Sequence, residues 1–502
     1  MWLKNTKLPK REDVYMNILT QDTYDEKSII TSISSFCKEY SVGKILKKAN
    51  AYKSKGIPVI YIFMYLLQLV YTKKSMYMNI LNETHNAGFG KDVVYRFLNS
   101  PFINWATFML SLAVRIIAKI SRLTSDSRVN AIVVDDTLYS RPRSKNVELL
   151  ANVHDHTGKG GRFKCGFRLL TLAWTDGVTL IPLLFRHLSS QDKKNRFTET
   201  NPKIDKRSCG YKARQQAISS APKVLLEMLG QIVKIGIPSK HVLFDCWFAY
   251  PTTIIEIAKI GLNVVARLKK TPKVKYLLDG EKRTLSQIYS SAKKRRGRSR
   301  YLLSVCVKLY NQDNEMIDAR IVYVRDRNNR KKWIALISTD MELSEEEIIQ
   351  LYGKRWDIEV FFKVCKSYLR LGSEFRGLSY DVITAHTAIV MTRYMILALE
   401  KRQKEDPRAL GELFFECYDE VADIQFAEAL ELILSLLRDV LEEILFLSSE
   451  QIAGENLREG DHVKVYVVEV RNSNRGPQIL ISRTHPGLVK RLFELEVPEI
   501  HD

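Results

Sequence analysis

Four residues in the stretch LYGKRWDIEVFFKVCK, Leu351 to Lys366, have the types and spacing to do chemistry on a phosphate ester. Tyr352, Arg355 and Glu359 stand three and four residues apart, so a helix through them presents all three on one face. Lys366 follows two turns further along that face. An Arg fork matches phosphate oxygens bidentately, and a Lys adds a point charge. On an arbitrary helix such a ladder would be a structural ion-pair array. Two further acids change that reading: Asp245 in HVLFDCWF, and Asp135 or Asp136 in AIVVDDT. Phosphodiester cleavage with two metals needs carboxylates that converge from separate elements, and hard oxygen ligands suit Mg²⁺, with Mn²⁺ as a substitute. Asp135 and Asp136 are neighbours and face opposite ways on a strand, so the residues alone leave both open. Asp245 is the only acid between Ile237 and Ile255; its plain alternative is a cap at a strand end.

The elements that must position these groups are legible in outline. Ser344 with the acids at 345–347 starts the helix that carries Glu359, and apolar residues recur along it from Ile348 to Phe361. AIVVDD (131–136) reads as a strand ending in two acids. Residues 164–177 and 178–188 read as a hairpin turned at Asp176-Gly177, and 241–248 as a strand with Asp245 towards its end. Helical patterns at Lys223–Ile235 and Pro251–Ile260 flank that strand, and GLNVVARLKK is another strand. Alternating strands and helices imply an α/β sheet, and acids at strand C-termini lie where such sheets place their chemistry. His154 and His156 share a strand face but lack a third ligand at matching spacing, so they read as strand flank. Trp356, inside an apolar helix, reads as core; its other role would be stacking on a displaced base.

The chain of 502 residues, 45% hydrophobic and 27% charged, is long enough for several domains and has the composition of a globular protein. A net charge of +21 points to a polyanionic partner. No lipidation signal or basic amphipathic anchor stands out, so nucleic acid is preferred over a membrane surface. The apolar run Ile57–Tyr71 is too short to span a bilayer and reads as a core helix. The N-terminus has no apolar signal region, and the seven cysteines are scattered singly, so a reducing cytoplasm is expected. Residues 1–125 read as a helical, basic region suited to DNA binding, with Arg96, Asn99 and Ser100 near a helix end. Residues 126–270 form the first part of the catalytic core, 271–338 a β-rich insert of three antiparallel strands, and 339–399 the remaining core. From Arg267 to Arg300 thirteen Lys or Arg face two Asp or Glu, a plausible backbone contact beside a phosphodiester site. In the acidic helical region at 400–447 the balance reverses, which suits packing on protein rather than along a duplex.

The spacing Tyr-x2-Arg-x3-Glu-x6-Lys, with DDT and LFDCW upstream, resembles the DDE transposases of bacterial insertion sequences, specifically insertion-sequence family four. The resemblance covers about residues 125–400. It implies a ribonuclease H-like α/β core in which Asp136, Asp245 and Glu359 hold two metals. It favours Asp136 over Asp135, because the family's catalytic Asp commonly stands directly before Thr. It also implies that Tyr352, Arg355 and Lys366 contact phosphate and the strand near the cut. The activity implied is metal-dependent cleavage at terminal inverted repeats and strand transfer into target DNA, cut-and-paste, with a hairpin intermediate in members of this kind. The implied partners are double-stranded DNA and a second copy in a synaptic homodimer, with no membrane and no small-molecule cofactor. Two alternatives remain: a nuclease of the same fold without strand transfer, and a catalytically inactive DNA-binding remnant or repressor.

The tail, 448–502, differs from the rest. HVKVYVVEV and QILIS alternate as strands around a turn at SNRGP, and SRTHPGLVKRLFELEVPEI (482–500) is a distinctive string. It resembles a segment of the bacterial transcription elongation factor NusA, the second half of an OB-type RNA-binding domain. The first strands of that domain are missing, so the piece cannot close a barrel, and no RNA-binding role is expected here. A chimeric chain joined near Ser448–Gln451 is the reading.

Overall fold

The computed structural model describes residues 26–72, 76, 89–122, 128–155, 162–295, 299–326, 332–403, 466–473, 476–482 and 488. The expectations for His156 and for most of the acidic region at 400–447 lie outside them. The described part of the tail is a two-stranded antiparallel hairpin, β12 (Tyr466–Ser473) and β13 (Gly476–Ser482), with Tyr466 opposite Ser482. It belongs to a compact unit separate from Tyr24–Phe414.

The larger unit begins with α1 (Glu26–Glu39), α2 (Val42–Lys48), α3 (Val59–Gln68), α4 (Lys91–Leu98) and α5 (Trp105–Arg122). The apolar run at 57–71 becomes α3 and a 3₁₀ turn, with Ile62, Phe63, Leu66 and Leu67 fully buried. Helix α5 buries its face from Trp105 to Ile120 and packs on the sheet strand β4 (Leu180–Leu188). Long amphipathic stretches like these owe their helicity to the apolar face they bury.

One sheet of eleven strands runs through the unit. Its order is β2 (Ala151–Asp155), β3 (Arg162–Thr175), β1 (Ala131–Ser140), β5 (His241–Phe244), β6 (Asn263–Leu268), β11 (Trp333–Ser338), β10 (Met316–Arg325), β9 (Leu303–Tyr310), β7 (Tyr276–Leu278) and β8 (Glu281–Arg283). Strand β4 pairs with β3 beside that path. The β3–β4 hairpin turns where its composition says it should. Asp176 Oδ1 accepts from the Val178 and Thr179 amides at 2.9 and 2.8 Å, and Gly177 supplies a φ of 89° that a side chain would resist. Parallel pairs β1–β5 and β5–β6 are crossed over by α6 (Cys209–Ala217), α7 (Ala221–Ile235) and α8 (Pro251–Lys259). Strands β1 and β5 are buried throughout their first four residues, the continuous apolar pattern of central parallel strands.

The β-rich insert is not set apart from this sheet. Strand β11 pairs antiparallel with β6, Ala335 opposite Leu268, so β9–β11 extend the core sheet directly. A short helix, α9 (Leu285–Ser291), covers part of the extension and starts with a capping box from Thr284 and Gln287.

The stretch from Glu345 to Ser367 departs from a single uniform helix. It divides into α10 (Glu345–Gly353), a 3₁₀ turn (Lys354–Trp356) and α11 (Asp357–Ser367), with right-handed helical dihedrals kept across both junctions. The tightened turn is pinned on two sides. Lys354 Nζ donates to the Val129 carbonyl at 2.6 Å, and the Thr175 hydroxyl donates to Asp357 Oδ2 at 2.9 Å. Burial pushes the Asp357 carboxyl up to about 6, against the pull of Thr175 and Lys354.

The last described helix of the unit, α12 (Tyr380–Gln403), threads the core. Its segment Tyr380–Leu399 is long and apolar enough to cross a membrane, but 89% of that window is buried inside the fold, as in a core helix. Its buried Arg393 donates to the Leu66 and Leu67 carbonyls at the end of α3, which that helix cannot satisfy itself. Arg393 also pairs with Glu374 at 2.9 Å, which in turn meets His386 Nε2 at 3.0 Å.

Candidate active site

Sheet register decides which acids meet. In the parallel pair β1–β5, Ala131 stands beside His241, Ile132 beside Val242 and Val133 beside Leu243. Carried two residues past the last pair, the same offset puts Asp245 beside Asp135. Strand β5 stops at Phe244, and Asp245 Oδ1 accepts from the Trp247 amide at 2.9 Å, so the side chain also turns the chain out of the strand.

Alternation then separates the two candidates on β1. Thr137 and Thr175 lie on the face that meets α11: Lys366 Nζ donates to Thr137 Oγ1 at 2.6 Å, and Thr175 bonds Asp357. Asp135 shares the Thr137 face and meets Arg355, whose Nη1 is 3.4 Å from Asp135 Oδ2. Asp136, the residue the resemblance favours, points to the other face and pairs with Arg168. That guanidinium lies 4.9 Å from the ring centroid of Trp247.

Arg355 is the centre of the arrangement. It is buried, and its Nη2 donates to Glu359 Oε1 at 2.7 Å while its Nη1 reaches Asp135. The Tyr352 ring lies 5.8 Å and the Trp356 ring 5.3 Å from the guanidinium carbon. Burial works against the Arg355 charge, but Tyr352, Glu359 and Asp135 outweigh it and raise its proton affinity. Trp356, expected in the core, is 37% exposed, because α11 buries Ile358, Phe361 and Phe362 instead.

Asp135 is the most perturbed acid here. Burial pushes its carboxyl up to about 7; the charges of Asp136 and Asp245 add to the rise, and Arg355 with the Asp136 amide opposes it. The carboxylate is thus short of positive charge even beside an arginine. Burial also raises the Tyr352 phenol. Thr171, directly across from Asp135 in the β1–β3 register, is fully buried with no partner for its hydroxyl among the described residues. Arg355 Nε is likewise buried and unpartnered among them.

The structure thus brings Tyr352, Arg355, Glu359 and Asp135 together, sets Asp245 beside Asp135 in register, and keeps Lys366 on the same face through Thr137. It does not bring Asp136 to that cluster. Among the described residues no three His, Cys, Asp or Glu side chains are gathered closely enough to hold a metal ion as placed. The inserted Arg355 fork accounts for the spacing. His154 packs its ring 5.6 Å from that of Phe163, the strand flank expected of it. The sequence reading missed Arg168, Thr171 and Thr137, since nothing in their local pattern marks them; only the strand register could.

Comparison with known proteins agrees with part of this picture. The family model described as DDE superfamily endonuclease matches residues 66–311, which supports a transposase-like nuclease. The match takes in Asp135, Asp136 and Asp245 and ends before Arg355 and Glu359. A separate, short similarity joins the chain to transcription termination/antitermination protein NusA. It is 58% identical over 60 residues to that protein of Halalkalibacterium halodurans, covering 12% of this chain and 16% of the relative. It is 53% identical over 60 residues to that of Bacillus subtilis and 46% over 52 residues to that of Thermus thermophilus. The chain therefore spans about one sixth or less of the length of these relatives.

Proposed function

We propose that this chain is a DNA transposase of an insertion sequence, of the DDE class with the Tyr-Arg-Glu-Lys helix of family four. It cuts phosphodiester bonds at terminal inverted repeats and joins the freed 3′ end to target DNA, acting in the cytoplasm as a synaptic homodimer. The observation that carries the reading is the meeting of Asp135, beside Asp245 in register, with Arg355 and Glu359 from a separate helix. Carboxylates from a strand, a strand end and a helix are the donor set a pair of hard divalent cations requires.

The residues fit such cations chemically. Asp135, Asp245 and Glu359 offer only oxygen donors, and the raised proton affinity of Asp135 marks a place where positive charge is wanted. Bound Mg²⁺ or Mn²⁺ supplies stabilisation of the attacking and leaving oxygens. The chain's own groups do the rest. The Arg355 fork, released from Glu359, matches a phosphate bidentately. Lys366, exposed at the end of α11, adds a charge at the strand beside the cut, and the Tyr352 ring holds the Arg355 plane. Asp136 with Arg168 fixes Trp247 and hence the turn that aims Asp245.

A second reading, a DNA-binding remnant without catalysis, is favoured by one observation: Arg355 bridges two of the three acids. A cleavage assay on the element's own terminal repeat, with Mg²⁺, Mn²⁺ or EDTA, separates the two. Cutting that needs metal and is lost in Asp245→Ala and Glu359→Gln, with end binding largely kept, is the expected result. Binding without cutting under every condition assigns the remnant.

A further inference from the structure

Helices α2 and α5 pack side by side, and between them, closed at one end by Ile235 of α7, lies a cleft of about 210 Å³. Its walls carry two rows of groups one helical turn apart: Lys44 and Lys48 on α2, Ser111 and Arg115 on α5. Of its lining side chains three are cations and none is an acid. Arg115 is anchored by a 2.5 Å bond from Nη1 to the Tyr40 carbonyl, which leaves the rest of its fork uncommitted to that carbonyl. The nearby acid Glu39 is engaged with Lys119.

The unusual group is Ser111. It is 9% exposed, and its hydroxyl has no partner among the described residues. A serine inside a helix ordinarily bonds back to the carbonyl four residues earlier, and leaving a buried hydroxyl unpaired costs free energy. Here the hydroxyl lines the cleft instead. Charge at a helix C-terminus would account for Lys48 alone, near the end of α2, but not for Lys44 or Arg115.

We infer that this cleft is a backbone-phosphate site for duplex DNA, with Ser111 donating to a phosphate oxygen and Lys44, Lys48 and Arg115 neutralising it. Val114 and Ile235 offer the apolar wall that a deoxyribose covers. The site rests on the DNA-processing reading above and lies on α2 and α5, elements that hold none of the acids of the candidate active site.

Anisotropy titrations of the full chain with a labelled mixed-sequence duplex, over a range of salt, test it. Lys44→Gln with Lys48→Gln should weaken binding several-fold and flatten the plot of log affinity against log salt by roughly one to two. Ser111→Ala should weaken binding by about fivefold without changing that slope, as loss of one uncharged hydrogen bond does. Melting temperatures close to wild type show that both variants fold. Unchanged affinity in both variants overturns the site and leaves the DNA reading standing. An equal loss from neutralising Lys203 and Lys206, an exposed pair elsewhere, overturns it as generic charge. Lost self-association with unchanged DNA binding assigns the cleft to protein contact and overturns it too. A wild-type chain that binds no duplex overturns both readings together.

Discussion

One step along β1 carries a carboxylate from Arg355 and Asp245 to Arg168, and the two aspartates should respond differently to the same change. Asp135→Asn removes a charge from the acid cluster. Since loss of an outer-shell partner of a metal ligand costs 10–100-fold, loss of this group should cut cleavage by about a hundredfold or more. Asp136→Asn should retain most cleavage and instead cost roughly 1–3 kcal/mol of stability, because Arg168 keeps a largely buried charge with a weaker partner. Parallel cleavage assays and melting curves distinguish the two; the reverse pattern would restore Asp136 as the acid that matters. The sequence showed both residues and the chemistry they suit. It could not show which one faces α11, because that depends on the side of the sheet on which a helix more than 200 residues away docks.

At the scale of elements, the strands and the β3–β4 turn were legible because each carries its own signal: apolar runs bounded by acids, and Asp-Gly at the reversal. The 3₁₀ turn inside the Arg355 helix was not, since its causes, Val129 and Thr175, are distant in the chain. Nor were the buried ion pairs. Glu374, Arg393 and His386 form one such cluster, which ties the end of α3 to α12. Burial alone would raise the Glu374 carboxyl, but Arg393 and His386 hold it down at about 2. Burial lowers His386 in spite of Glu374, so the imidazole stays neutral and donates. A depressed acid stabilises the fold fully above its unfolded value near 4.5 and loses that contribution as pH falls towards about 2. The contribution is on the order of 3 kcal/mol. Acid melts should therefore show a loss of stability across that window. Glu374→Gln should flatten it while lowering stability at neutral pH by about 3–5 kcal/mol, through an unpaired buried arginine. A melt in Glu374→Gln that still falls steeply across the window would place the titrating group elsewhere.

For the whole molecule, the separation of the tail hairpin from the Tyr24–Phe414 unit carries a prediction. Every residue of the candidate active site lies in the larger unit. A chain ending at residue 447 should cleave and bind the terminal repeat as well as the full chain does, read in the same assay. Activity that appears only after truncation would make the NusA-like piece inhibitory, and activity lost would show that the tail serves assembly. The α/β class and the strand-end acids could be read from alternating patterns. That the insert continues the core sheet could not, because β6 and β11 pair across a gap of more than sixty residues.

That continuity bears on how the protein is made. The two strand acids are synthesised early, but the helix with Arg355 and Glu359 follows β11, the strand that closes the excursion from β6. Translation runs from the N-terminus, so a ribosome releases Asp135 and Asp245 long before their helical partner exists. A nascent chain or a premature-stop fragment ending within the insert would carry two acids on a sheet and no arginine or glutamate to complete them. The cutting function, on this architecture, arrives only with a nearly finished chain.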